Sequence, residues 1–261
     1  MINEYANTNG SVPSGGWIAD GEFIEMVLTT NATVSELANL TFGDSNSSTS
    51  AIHSIFQFDT ATLDAVLTAS GQTSFLAGTI FVVKSATLGA QNLTYDPTLA
   101  NIGNADAWCI ELIPGLGVVD SPASPTGAID VENTGEIIWV ADGTPTSSTD
   151  TSGWLSAIGH DNNPGALATA VIDQFGANSF YTGAAGAPKA LVNTADGIMA
   201  LSLENDSTMG VPNTDLNAEW LVSVRGGALA SVPEPNRMLL VGMGMAAWIL
   251  QRRRVATEEA A

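Results

Sequence analysis

Residues 22–28 read EFIEMVL, a run of typical strand length rich in apolar side chains, and the same signature recurs along the chain. Residues 55–58 (IFQF), 79–83 (TIFVV), 108–112 (WCIEL), 136–140 (EIIWV), 198–203 (IMALSL) and 220–224 (WLVSV) are the further strand candidates. Clusters of Gly, Asn, Asp, Ser and Pro separate them, as in sandwiches and barrels. Helical signals are scarce. Residues 61–69 and 167–175 are Ala/Leu-rich with no internal Gly or Pro and are expected as short helices. Long polar loops are expected over residues 43–50, 142–153 and 161–165, and no repeat of fixed period points to a solenoid or propeller. The pattern predicts an all-β body over residues 16–225, preceded by an N-terminal extension at residues 1–15 and followed by a flexible linker, GGALAS, at residues 226–231.

Of the 261 residues 45% are hydrophobic, enough to fill a core and opposite to the balance of a disordered chain. Charge is sparse and lopsided, with 27 acidic against 7 basic residues and a formal net charge of −20. Residues 1–231 hold 3 of the cations and 24 of the anions, because only Glu234, Glu258 and Glu259 fall later; the body is therefore −21 and the tail +1. Such a body repels phosphate backbones, so nucleic acid is excluded as a partner. Cys109 is the single cysteine, inside the apolar run Trp108-Cys109-Ile110, and is expected as a small buried hydrophobe rather than a reactive thiol.

Residues 232–261 read VPEPNRMLLVGMGMAAWILQRRRVATEEAA, in which three physical elements follow in order. Val232-Pro233-Glu234-Pro235 is forced into an extended, polyproline-like conformation by its two fixed φ angles, the form in which proteases read substrate. Residues 238–250 then run without a charge, with Gly242, Gly244, Ala246 and Ala247 able to line a close-packing face. As a helix this span is about 20 Å long, short of the roughly 30 Å hydrocarbon core, and snorkelling of Arg237 and the following arginines extends it. Arg252-Arg253-Arg254 would stay on the cytoplasmic side by the positive-inside rule.

Pro-Glu-Pro, short apolar span and arginine cluster in that order resemble the PEP-CTERM sorting tag of exopolysaccharide-associated bacterial proteins. The resemblance implies handling by an exosortase, a membrane cysteine transpeptidase that cuts near the Pro-Glu-Pro. It also implies transient anchoring in the inner membrane, then release to the cell surface or beyond. Arg237 departs from it, standing where such tags usually carry a neutral residue. The opening MINEYANTNG lacks the basic and apolar regions of a secretory signal, so this reading expects a signal peptide encoded upstream of Met1 or export by another route.

The body carries a second resemblance. In residues 22–45, EFIEMVLTTNATVSELANLTFGDS, a strand with Phe23-Ile24-Glu25 precedes a turn and a Leu-containing strand ending in Gly-Asp. With residues 75–83 (FLAGTIFVV) and 135–142 (GEIIWVAD), this is similar to the lamin-tail domain over about residues 20–145. The resemblance implies an immunoglobulin-like sandwich acting as an interaction module, with residues 145–197 as an insertion or additional strands. The fold expected is thus an all-β, immunoglobulin-like or jelly-roll-type β-sandwich with long loops and one or two short helices, plus a single apolar helix at the C-terminus.

Candidate chemistry is thin. His160 lies in Gly159-His160-Asp161-Asn162-Asn163-Pro164, an oxygen-rich stretch expected as a loop, and HExxH, Gly-x-Ser-x-Gly and phosphate-loop motifs are absent. His53 alternates into a strand and is expected to be half-buried and structural. No cofactor is expected. Calcium is the ion that acidic loop tips suit, with Asp161, Asn162, Asn163, Asp44 and Asn46 as donors, although D-x-[DN]-x-[DN]-G does not occur. Trp17, Trp154, Phe180 and Tyr181, read as surface aromatics, offer platforms for sugar rings. The expected function is a non-enzymatic surface or matrix protein associated with exopolysaccharide or biofilm. Its alternatives are a carbohydrate- or calcium-binding module and a secreted hydrolase.

Overall fold

The computed structural model describes residues 1–7, 21–46, 52–99, 105–120, 135–145, 151–161, 165–182, 189–194, 197–202, 209 and 215–225. In chain order these form β1 (Ile2–Asn7), β2 (Phe23–Val27), α1 (Val34–Leu37), β3 (Leu40–Asn46), β4 (Ile52–Phe58), α2 (Thr60–Ser70), β5 (Ile80–Lys84), α3 (Ala105–Trp108) and β6 (Cys109–Leu112). There follow β7 (Val118–Asp120), β8 (Gly135–Asp142), β9 (Trp154–Asp161), α4 (Ala166–Phe175), β10 (Phe180–Thr182), β11 (Lys189–Thr194), β12 (Gly197–Ser202) and α5 (Asp215–Val224). The protein is mostly β: two six-stranded sheets in the orders β12-β11-β1-β2-β5-β6 and β10-β9-β8-β3-β4-β7, with a few short helices. Neighbouring strands are antiparallel except β5–β6 and β9–β10, which are parallel and each joined by a connection containing a helix.

Strand periodicity builds the layers. Ile24 and Met26 of β2 enter the main core together with Phe81 and Val83 of β5, and Phe42, Phe56 and Ile138 enter it from the other sheet. Alternate positions face outward into two smaller cores. Phe23, Val27, Ile80 and Val82 meet Leu221 of α5, while Ile55, Ile137 and Trp139 meet Leu167, Ala168 and Val171 of α4. Each sheet therefore has one face on its partner and an outer face covered by a helix, which is why the strands read as nearly unbroken apolar runs. In β3, Gly43 is required by close approach: a Cβ there would collide with the Ser54 carbonyl oxygen and lie 2.8 Å from Trp139 Cζ2.

The helices begin and end where their sequences say. The Asp59 carboxylate accepts from the Thr62 amide at the start of α2, and Gly71, at φ +69°, closes it with the Gln72 amide donating to the Leu67 carbonyl. The first of the two expected helices is α2 and the second is α4.

Four expectations need correction. Residues 220–224, read as a strand, are the last turn and a half of α5. Residues 2–7, set apart as an extension, form β1 in the middle of the first sheet, paired with β2 and β11. Residues 43–46 of the expected loop continue β3, and His160 and Asp161 end β9 rather than lying in a loop. Residues 145–197, expected as an insertion or as additional strands, carry the additional strands β9, β10 and β11, which complete both sheets. Among the described residues no helix is long and apolar enough to cross a membrane. The linker and the tail, residues 226–261, lie outside the described residues.

Candidate metal centre

Three adjacent strands of the second sheet, β8, β3 and β4, bring Glu136, Asp44 and His53 together. The β3–β4 pairing slips at this point. Asp44 faces Ser54, but Ser45 faces Ile52, so His53 is the extra residue of a β-bulge. A bulge re-aims the side chain it carries. Here the His53 Nδ1 comes 3.4 Å from Asp44 Oδ2 and 3.8 Å from Glu136 Oε2. The Ser54 hydroxyl donates to Asp44 Oδ1, which fixes that carboxylate with its other oxygen toward the imidazole. One ligand atom from each of the three residues lies within 4.8 Å of the others. Both carboxylates are fully buried, whereas the histidine side chain is 27% exposed and opens the cluster to solvent.

Glu136 links the cluster to a second buried group. It stands opposite His160 in the β8–β9 ladder, and His160 Nδ1 lies 2.6 Å from the Tyr5 hydroxyl. Burial, reinforced by the negative Glu136, holds the Tyr5 hydroxyl pKa well above its ordinary value. His160 is thus a core residue bonded to the other sheet, not a loop histidine.

Two of the three cations ahead of residue 232 are held by specific partners. Lys84 Nζ is 2.5 Å from Glu111 Oε2. The Arg225 guanidinium donates twice to the Gly78 carbonyl, at 3.1 and 2.9 Å, and stacks 4.4 Å over the Trp108 ring; burial lowers its pKa to about 10. The remaining cation ahead of residue 232 is Lys189, on β11 of the other sheet.

No family model matches the chain, nor does any curated protein or solved structure. What the cluster can do follows from its own chemistry: two carboxylate oxygens and an imidazole nitrogen can share a cation or share protons.

The sites expected from sequence fare unevenly. Val232, Pro233, Glu234, Pro235, Arg252, Arg253 and Arg254 lie outside the described residues, as do Asn162, Asn163 and Trp17. Asp161, Asp44 and Asn46 are buried in strands and form no loop tip. Trp154 and Phe180 are not surface platforms; they pack with α4 in the outer core of the second sheet. Tyr181 is on β10. Cys109 is buried as expected, and His53 is half-buried as expected. No local motif joins residues 44, 53 and 136, so the sequence alone does not place Glu136 in the cluster. The only sequence signal was Asp44 and His53 flanking a hairpin. A separate cleft of about 740 Å³ is lined by Thr29, Asn31, Glu36, Leu40, Leu155 and Phe175, among others.

Proposed function

We propose that the chain is a non-enzymatic protein of the bacterial cell surface or matrix, sorted by an exosortase through residues 232–261 and associated with exopolysaccharide. The observation that carries this reading is the order of Val232-Pro233-Glu234-Pro235, an uncharged apolar span and Arg252-Arg253-Arg254. Each part suits one step: an extended segment for cleavage, a short helix for transient insertion, and arginines that hold the inner side. The acidic two-sheet body suits the role of a passenger, since it needs no disulfide to be stable outside the cell. An immunoglobulin-like, lamin-tail type of sandwich and a single apolar C-terminal helix belong to this proposal and rest on the sequence strings alone. Replacing Pro233, Glu234 and Pro235 by alanine in the producing cell tests it. The variant is expected to stay in the membrane fraction at full mass, while the parent chain is shortened and released. Identical mass and location for the two would overturn the reading.

A second reading, a carbohydrate-binding module, is favoured by the 740 Å³ cleft, whose Thr29, Asn31 and Glu36 offer polar contacts beside Leu40, Leu155 and Phe175. It predicts a thermal shift with the native polysaccharide, and silence across a glycan array removes it. The hydrolase alternative gains nothing from His160, which is engaged by Tyr5 in the core.

A further inference from the structure

We propose that Asp44, His53 and Glu136 bind one divalent transition-metal ion of the zinc class. The proposal is independent of the route by which the chain is sorted. Its first support is distance. The two nitrogen–oxygen separations, 3.4 and 3.8 Å, exceed the usual length of a good N–H···O hydrogen bond. They approach the edge of a coordination tetrahedron, which is about 3.3 Å for bonds of about 2.0–2.1 Å. Small inward shifts of three side chains therefore complete three vertices, leaving the fourth for water or a ligand.

The second support is charge. Two carboxylates buried at zero exposure are costly to keep ionised without a nearby cation. A divalent ion shared by the cluster matches the charge of both carboxylates in full, whereas protonation of His53 supplies one unit.

Ligand type selects the metal. Calcium and magnesium prefer all-oxygen sets and more of them, while an imidazole with two carboxylates suits zinc, manganese or iron(II). Calcium, expected from sequence on Asp161, Asn162, Asn163, Asp44 and Asn46, thereby gives way to a softer ion on a set that keeps only Asp44 of those donors. The Ser54 hydroxyl on Asp44 Oδ1 acts as the supporting contact that orients a ligating carboxylate, and the partly exposed His53 leaves an entry path.

The test uses the full chain, stripped with a chelator and titrated with zinc chloride alone by calorimetry, with metal content measured after dialysis. One equivalent of zinc per chain is expected, with a rise in Tm, and calcium chloride should neither bind as tightly nor displace it. His53→Ala should weaken zinc binding by about 100-fold or more, and Glu136→Gln should weaken it as well, in variants whose circular dichroism matches the parent. Should a variant fail to fold, cobalt(II) loaded into the parent chain decides: strong visible bands of four-coordinate cobalt support the site. Absence of stoichiometric zinc in the parent, zinc affinity unchanged in His53→Ala, or a purely octahedral cobalt spectrum would each overturn the proposal, leaving a proton-sharing histidine between two acids.

Discussion

Tyr95 ties the end of α2 and the loop before β5 to the aromatic part of the core. Its hydroxyl accepts from the Leu76 amide at 2.9 Å and lies 3.0 Å from Thr79 Oγ1, while its ring packs 5.2 Å from Phe75. Burial raises its pKa, and the Leu76 and Thr79 contacts with the charge of Arg225 pull the other way without cancelling it. Since the folded chain holds this proton more tightly, the unfolded chain releases it first as pH rises through the ordinary value near 10. Stability is therefore complete below that pH and falls above it. Tyr95→Phe is expected to lose about 1–3 kcal/mol at neutral pH, because the Leu76 amide loses its acceptor. The same change should flatten the decline on the alkaline side. Urea unfolding of both chains between neutral pH and about pH 11 checks it, and an equally steep alkaline decline in the variant would refute the assignment. At this scale the sequence was a poor guide to the site. It named Asp44 as an oxygen donor and His53 as half-buried, but only the register of β3 with β8 brings Glu136 to them, and register is a long-range property. His160 was misread because GHDNNP is turn-rich by composition, yet its first residues pair with β8.

At the scale of elements, what a local pattern encodes was readable and what packing decides was not. Strands such as β2, β5 and β8 announce themselves by apolar side chains on both faces. β1, INEYAN, does not, because Asn3 and Glu4 are buried polar residues in a central strand, and Asn3 is bonded to Glu25 on β2. α5 was hidden for the opposite reason. WLVSV has the composition of a strand, but Trp220, Leu221 and Val224 pack together on the first sheet while Glu219 and Ser223 face solvent. That grouping is a helical face; in a strand Leu221 and Ser223 would share a side. The two structures separate cleanly by mutation. Leu221→Ala is expected to cost about 2–5 kcal/mol as a fully buried residue, while Ser223→Ala stays within about 0.5 kcal/mol. Comparable losses at both positions, measured by chemical denaturation, would mean that residues 220–224 alternate as a strand.

For the whole molecule the governing quantity is a net charge of −20, of which the body over residues 1–231 carries −21 with three cations, two of them engaged by specific partners. Like charges on a closed surface repel, and the repulsion is relieved when the chain expands, so part of the folding free energy is spent against it. Added salt screens charges beyond about 10 Å at 0.1 M, which weakens this repulsion, and with 7 basic against 27 acidic residues repulsion outweighs the attractive pairs that the same salt weakens. Sodium chloride, with a chelator present, is therefore expected to raise Tm steadily between low ionic strength and about 0.5 M, by about 2–4 °C for each kcal/mol of repulsion removed. A flat or falling Tm would mean that the carboxylates are already compensated within the fold. The salt response also isolates the metal centre: screening acts on the parent chain and on His53→Ala alike, whereas stabilisation by a stoichiometric amount of zinc requires the imidazole. Two chains that match in sodium chloride and diverge in zinc would locate the second effect in the cluster formed by β3, β4 and β8.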